Sequence, residues 1–241
     1  MRRPRLVDVR AVQLITPCMK RVRLGGDDLE GFAPTRPAQW VKLFVPANQG
    51  HGQAGRVYTI RNYSPERREL DLEFVIHGDG PASWWAQHAR AGQCVRLAGP
   101  RAGYERRADT EWMLLFGDET ALPAIFSILE SLPAGFPVQA FLEVMGPDDE
   151  RYASKECVKA GLDLHWLHRH GAAAGTTRLL YEAATEVRLP SGFGELWVAA
   201  EARAVHDVKT HFMVDRSVER SRIHASGYWK HGVADHRNSV S

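Results

Sequence analysis

The spacing of apolar residues changes character part-way along the chain. Up to Gly99-Pro100-Arg101-Ala102-Gly103, apolar and polar positions tend to alternate, the period of a strand with one buried face. Residues 6–15 and 20–24, separated by Thr16-Pro17, read as two antiparallel strands, with Gly25-Gly26-Asp27-Asp28 as a turn. Residues 40–45 form another strand that ends at Pro46, and a loop is expected over 47–55. Arg56-Val57-Tyr58-Thr59-Ile60-Arg61 then alternates with Arg56, Tyr58 and Ile60 on one face and Val57, Thr59 and Arg61 on the other. In residues 70–76, Leu70, Leu72 and Phe74 face away from Asp71 and Glu73, and residues 94–98 form one more strand. At least five strands with turn signals between them predict a small antiparallel barrel. Before the last of them, His77-Gly78-Asp79-Gly80-Pro81-Ala82-Ser83 leads into a short helix, with Ser83 the expected cap and Gly92 just past its end.

Beyond this point the period changes. Residues 112–116 are wholly apolar, as in a buried parallel strand, and run into Gly117-Asp118-Glu119-Thr120. Leu122, Ile125, Phe126, Leu129 and Leu132 recur at helical spacing. Strands are expected at 138–144, 162–167, 196–200 and 222–228, and helices at 177–187 and around Ala204, Val205, Val208 and Phe212. Strands alternating with helices predict a parallel sheet with crossovers. Its ligand site is expected at the carboxyl ends of the strands, at residues 117–120 and 199–201.

Composition narrows the function classes. A chain of 241 residues with a formal net charge of +2 carries no global footprint for nucleic acid. The His-, Lys- and Arg-rich tail interleaves Asp207, Asp215, Glu219 and Asp235, so it reads as a solvated helix, and residues 237–241 as disordered. No apolar run is long enough to span a membrane, and no apolar segment follows Met1-Arg2-Arg3-Pro4-Arg5. Cys18, Cys94 and Cys157 are odd in number and far apart, which fits a reducing cytoplasm. Nothing points to an oligomer, and a monomer is expected.

Candidate chemistry is concentrated in few places. Tyr58 can stack on a ring system, Thr59 can bond its edge, and Arg56 or Arg61 can take a phosphate; an amphipathic strand with exposed arginines has the same letters. Backbone N–H groups at the start of the helix near Ser83 can bind an anion. Gly50-His51-Gly52-Gln53-Ala54-Gly55 matches the GxGxxG dinucleotide pattern, but a strand follows it where the fingerprint needs a helix. In a strand His168 and His170 share a face while His165 faces away, and no Cys or carboxylate stands at ligand spacing, so no metal site is expected. Arg151 or Arg169 is a candidate for selecting a 2′-phosphate, or equally a surface charge.

Taken together, Arg56-x-Tyr58-Thr59-x-Arg61, residues 77–83, Gly117-Asp118-Glu119-Thr120-Ala121-Leu122-Pro123-Ala124 and residues 197–201 before Arg203-Ala204-Val205 resemble the siderophore-interacting proteins. These are flavin-dependent ferric-siderophore reductases of bacteria within the ferredoxin-reductase-like superfamily. The resemblance implies a flavin-binding antiparallel β-barrel over residues 1–107 and a parallel-sheet α/β nucleotide-binding domain over 108–241. It implies that Arg56, Tyr58 and Thr59 hold the isoalloxazine and first phosphate of FAD, with Arg61 and His77 at the same site. Gly80, Pro81, Ala82 and Ser83 would cradle the pyrophosphate. Gly117, Asp118, Glu119 and Thr120, with Ala200 and Glu201, would face NADPH or NADH. The family usually has glycine where Ala200 stands, so its methyl is expected to narrow the approach of that cofactor.

A flavin between a hydride donor and Fe(III) requires no acid–base residue, only position and charge. Siderophore chelates are commonly anionic, so Lys42, Arg101 and Lys230 are the candidate substrate contacts, each of which also reads as a solvated surface charge. Trp229 is expected either to shield the flavin or to pack structurally. The implied activity is reduction of a ferric siderophore. The alternatives are a reductase coupled to a ferredoxin, and a carrier of chelate or flavin without turnover.

Overall fold

In the computed structural model, which describes residues 4–46, 52–76 and 80–233, the chain forms two units that divide after Glu105. The first is built from β1 (Arg5–Thr16), β2 (Met19–Gly25), β3 (Trp40–Pro46), β4 (Gln53–Ser64), β5 (Glu69–Val75), the helix α1 (Pro81–His88) and β6 (Cys94–Arg101). The strands close into a barrel in the order β1-β2-β5-β4-β3-β6, every pair antiparallel. Val22, Leu24, Val41, Leu43, Leu70, Leu72, Phe74, Val95 and Leu97 fill the interior, as the alternation predicts.

Three local features depart from the expected pattern. Asp71 and Glu73 face outward, yet they are only 3% and 4% exposed. Their cross-strand partners on β2 explain this: Arg23 Nε lies 2.8 Å from Asp71 Oδ1 and Arg21 Nε 3.0 Å from Glu73 Oε1, and both arginines lie over the carboxylates. The strand β4 begins at Gln53, so Ala54 and Gly55 pair with Val45 and Phe44 rather than lying in a loop, while Gly50 and His51 are outside the described residues. The helix α1 takes Gly80 as its N-cap, because Pro81 occupies the first turn without needing an N–H donor; Ser83 lies inside the helix. That helix stops at His88, short of Gly92.

The second unit is a parallel sheet of β7 (Trp112–Asp118), β8 (Val138–Val144), β9 (Leu162–His168), β10 (Gly194–Glu201) and β11 (Ile223–Trp229), in the order β11-β10-β7-β8-β9. The connections carry α2 (Leu122–Ser131), α3 (Lys155–Lys159), α4 (Leu179–Glu186) and α5 (Ala202–Thr210). The short α3, which the apolar spacing does not announce, is capped by Ser154. Every residue of β7 and β10 is buried, and Leu180, Ala184, Val205, Val208 and Phe212 pack on one face of the sheet. On that face Phe116, Phe141 and His165 stack in register across β7, β8 and β9, at centroid separations of 4.8 and 4.7 Å. No helix among the described residues is long and apolar enough to cross a membrane. An antiparallel barrel followed by this doubly wound sheet is the ferredoxin-reductase-like fold.

Candidate functional site

Within the barrel unit, β4 and the start of α1 are tied together by rings. Tyr58 lies against Phe74 with centroids 4.2 Å apart, and Phe74 meets Trp85 of α1 at 5.5 Å. Burial pushes the Tyr58 phenol well above its ordinary value, with the Arg56 charge opposing, so the ring is neutral at physiological pH. Arg56 is half-buried and donates from Nη1 to the Gly55 carbonyl at 3.1 Å. Thr59 and Ile60 are both buried although they point to opposite faces of β4. Arg61 falls in the bulge between Ile60 and Asn62 and donates to Asn62 Oδ1 at 3.2 Å.

No side-chain hydrogen bond caps the start of α1. Ala82 and Ser83 are buried, and Ser83 Oγ accepts from Gln87 Nε2 at 3.4 Å. A Cβ placed on Gly80 would meet nothing within 4 Å, so the protein's own packing does not demand glycine there. His77 lies outside the described residues. Lys42 and Arg101 both lie on the outward side of the β3–β6 pair, over the rings of Phe44 (5.6 Å) and Trp40 (5.8 Å). Lys230 belongs to the other unit, exposed and bridged to Val233.

In the second unit, the carboxyl ends of the strands hold four buried carboxylates. Asp118 accepts four hydrogen bonds: from the N–H and hydroxyl of Thr120 on Oδ1, and from Glu201 N (2.9 Å) and Trp229 Nε1 (2.8 Å) on Oδ2. Desolvation raises its carboxyl above the ordinary range, and the bonds from Thr120 and Trp229 pull the other way. Arg169 grips Glu119 with both terminal nitrogens, one of them at 2.9 Å, and reaches Glu143 at 3.5 Å. Glu143 also accepts from the Thr177 hydroxyl at 3.0 Å. Glu201 caps α5 through Arg203 N (2.6 Å) and Ala204 N (3.1 Å), and its other oxygen accepts from His231 N at 3.2 Å.

Asp118, Glu119 and Glu201 are thus brought together as expected, but their oxygens are engaged by the chain itself. Arg169, only 6% exposed and bound by two carboxylates, is not placed to meet a 2′-phosphate. Gly117 is required by packing: a Cβ there would come within 2.6 Å of Ile125 and 2.8 Å of Ala121 at the start of α2. Ala200 is fully buried and packs in the core beside Leu196 and Val198, because even-numbered positions of β10 face α4 and α5. The sequence reading missed the partners of Trp229, Arg169 and Glu143, which lie far away along the chain.

The family model for the siderophore-interacting protein matches residues 110–232, and that for the siderophore-interacting FAD-binding domain matches residues 8–54 and 50–104. The ferric vibriobactin reductase of Vibrio cholerae is 30% identical over 95% of this chain and 90% of its own. The NADPH-dependent ferric-chelate reductase of Escherichia coli is 28% identical over 93% and 92%. The crystal structure of a siderophore utilization protein from T. fusca superposes with a TM-score of 0.89 at 33% identity, covering 98% of this chain and 95% of that one.

Proposed function

The chain belongs to the siderophore-interacting protein family, and on that premise we propose that it is an FAD-dependent ferric-siderophore reductase using NADPH or NADH. The observation that carries the reading is the junction in the barrel unit of the Arg56–Tyr58–Thr59 strand with an uncapped helix start, joined through Phe74 and Trp85. These residues fit FAD by their donor chemistry. First-turn N–H groups and the Arg56 guanidinium suit a pyrophosphate, while the neutral Tyr58 ring and the Thr59 hydroxyl suit a planar ring with polar edges. When bound, FAD accepts two electrons together and releases them singly, which matches a hydride donor to Fe(III).

The residues themselves bind and orient. Arg56 and α1 fix the phosphates, and Tyr58 and Thr59 hold the ring at the barrel wall. Lys42 and Arg101 in the barrel unit attract an anionic chelate by charge, as Lys230 in the second unit does separately, and no side chain has to move a proton for iron to be reduced. At the carboxyl ends of β7 and β10 the nucleotide is met by backbone groups, because Asp118, Glu119, Glu201 and the donors of Thr120 are bonded internally. A reduced ferredoxin is the alternative donor. The setting is the cytoplasm, consistent with the free cysteines Cys18, Cys94 and Cys157.

An anaerobic absorbance titration tests this. Flavin that bleaches on adding NADPH or NADH and recovers as a ferric catecholate yields Fe(II) is the expected result. Flavin that stays oxidised with both nucleotides yet turns over with reduced ferredoxin reassigns the donor. A chelate that binds while no electron moves from any donor makes the chain a carrier.

A further inference from the structure

We propose that Trp84 is the platform on which the adenine ring of FAD stacks, and that it makes the barrel choose FAD over FMN. The inference rests on the flavin reading above and names the residue that receives the other end of the cofactor.

Trp84 is 40% exposed, whereas its neighbour Trp85 is 4% exposed and anchors α1 against Phe74. The core therefore uses one indole and leaves the other on the outer face of the helix. Gly80, Trp84 and His88 follow at intervals of four residues, so they line a single face. The His88 ring lies nearly flat against the Trp84 indole, with centroids 4.3 Å apart and planes at 27°. A hydrogen bond of 2.8 Å between His88 Nδ1 and the Trp84 carbonyl fixes that imidazole.

One face of the indole is thus backed from the C-terminal side. Side chains on a helix tilt toward its N-terminus, so the opposite side of the indole looks toward Gly80. There a Cβ would meet nothing within 4 Å. A dinucleotide whose pyrophosphate lies at the helix start has two ends to place. Tyr58, backed by the buried Phe74 on the side of α1 turned to the core, suits the isoalloxazine, which leaves the exposed face with its rigid aromatic pair for the adenosine. An i,i+4 pair needed only to steady the helix gains little from leaving an indole in water. FMN lacks the adenosine half and has no group to reach Trp84.

The test is titration of the flavin-stripped full-length protein with FAD and with FMN, followed by flavin fluorescence. Trp84→Ala is expected to raise the Kd for FAD by ~5- to 150-fold, the range produced by losing one base–aromatic stack, and to leave FMN unchanged. Trp84→Phe is expected to keep most of the preference. Because Trp84 is exposed, far-ultraviolet circular dichroism of the variants should match the parent. Equal losses for FAD and FMN, or no loss for FAD, overturn the proposal while leaving the flavin reading intact. A parent protein that takes up neither flavin overturns both.

Discussion

The indole N–H of Trp229 donates to Asp118 Oδ2 at 2.8 Å, and the same oxygen accepts from the backbone of Glu201 at 2.9 Å. One carboxylate thereby ties the carboxyl ends of β11, β10 and β7, three adjacent strands of the parallel sheet. The ring of Trp229 comes so close to Gly175 that a Cβ there would lie 2.8 Å from it, and Gly175 adopts φ +74°, which a side chain would strain. Trp229→Phe keeps an aromatic ring but removes the donor together with part of the indole that packs against Gly175. It is expected to cost about 1.5–3 kcal/mol, as for a hydrogen bond to a charged group, read from urea unfolding with an unchanged slope. An unchanged midpoint would show that the bond contributes nothing.

The buried carboxyls give stability a particular pH dependence. Desolvation raises the Glu143 carboxyl above its ordinary 4.5, with the Thr177 bond and the Arg169 charge opposing. A carboxyl raised in the folded state stays protonated there at pH values where the unfolded chain has ionised. Its stabilising contribution is present below the unfolded value and is lost as pH rises through the folded one. Glu143→Gln does not titrate, so its stability relative to the parent is expected to improve as pH rises above the ordinary carboxylate value. Parallel urea profiles above that value would rule this out.

Arg169 answers two carboxylates from a buried position. Arg169→Met leaves Glu119 and Glu143 without a counter-charge and is expected to cost about 3–5 kcal/mol. Arg169→Lys keeps the charge but loses the two-pronged grip on Glu119, a smaller loss. Since the guanidinium is bonded internally, the ratio of NADPH to NADH use in Arg169→Lys should equal that of the parent. A shift of about tenfold or more, worth about 1.4 kcal/mol, would place this side chain on the nucleotide.

Lys42 and Arg101 differ from these in being at the surface. Replacing either with alanine is expected to raise the KM for an anionic ferric chelate by about 2- to 10-fold, less at high salt, while flavin content stays constant. An effect of the same size on an uncharged chelate would point to lost packing on Phe44 or Trp40 instead.

What could be read from the sequence was what short-range pattern encodes. Alternation located the barrel strands, and the wholly apolar residues 112–116 marked the central parallel strand. Ser83 was misplaced because serine is a favoured cap, whereas the proline at Pro81 sets the helix start and hands the cap to Gly80. The carboxylates at the strand ends were found by type and position. Their engagement was hidden, because Arg169 is 50 residues from Glu119, and Trp229 is 111 from Asp118. The burial of Asp71 and Glu73 under Arg23 and Arg21 is not legible, because alternation says which way a side chain points and not what lies over it.

The strand order has a consequence for how this chain is made. β7 pairs with β8 on one side and β10 on the other, and β11 then pairs with β10. As the chain leaves the ribosome the barrel strands are complete first, yet the central strand of the second sheet waits for residues some eighty positions downstream before its other edge is covered. Until Trp229 has emerged, Asp118 lacks the last of its four donors and the carboxyl end of the sheet is not tied. Folding of the second unit therefore includes a long-range closure, the slow kind of step in folding, in which β10 joins a strand laid down some eighty residues earlier.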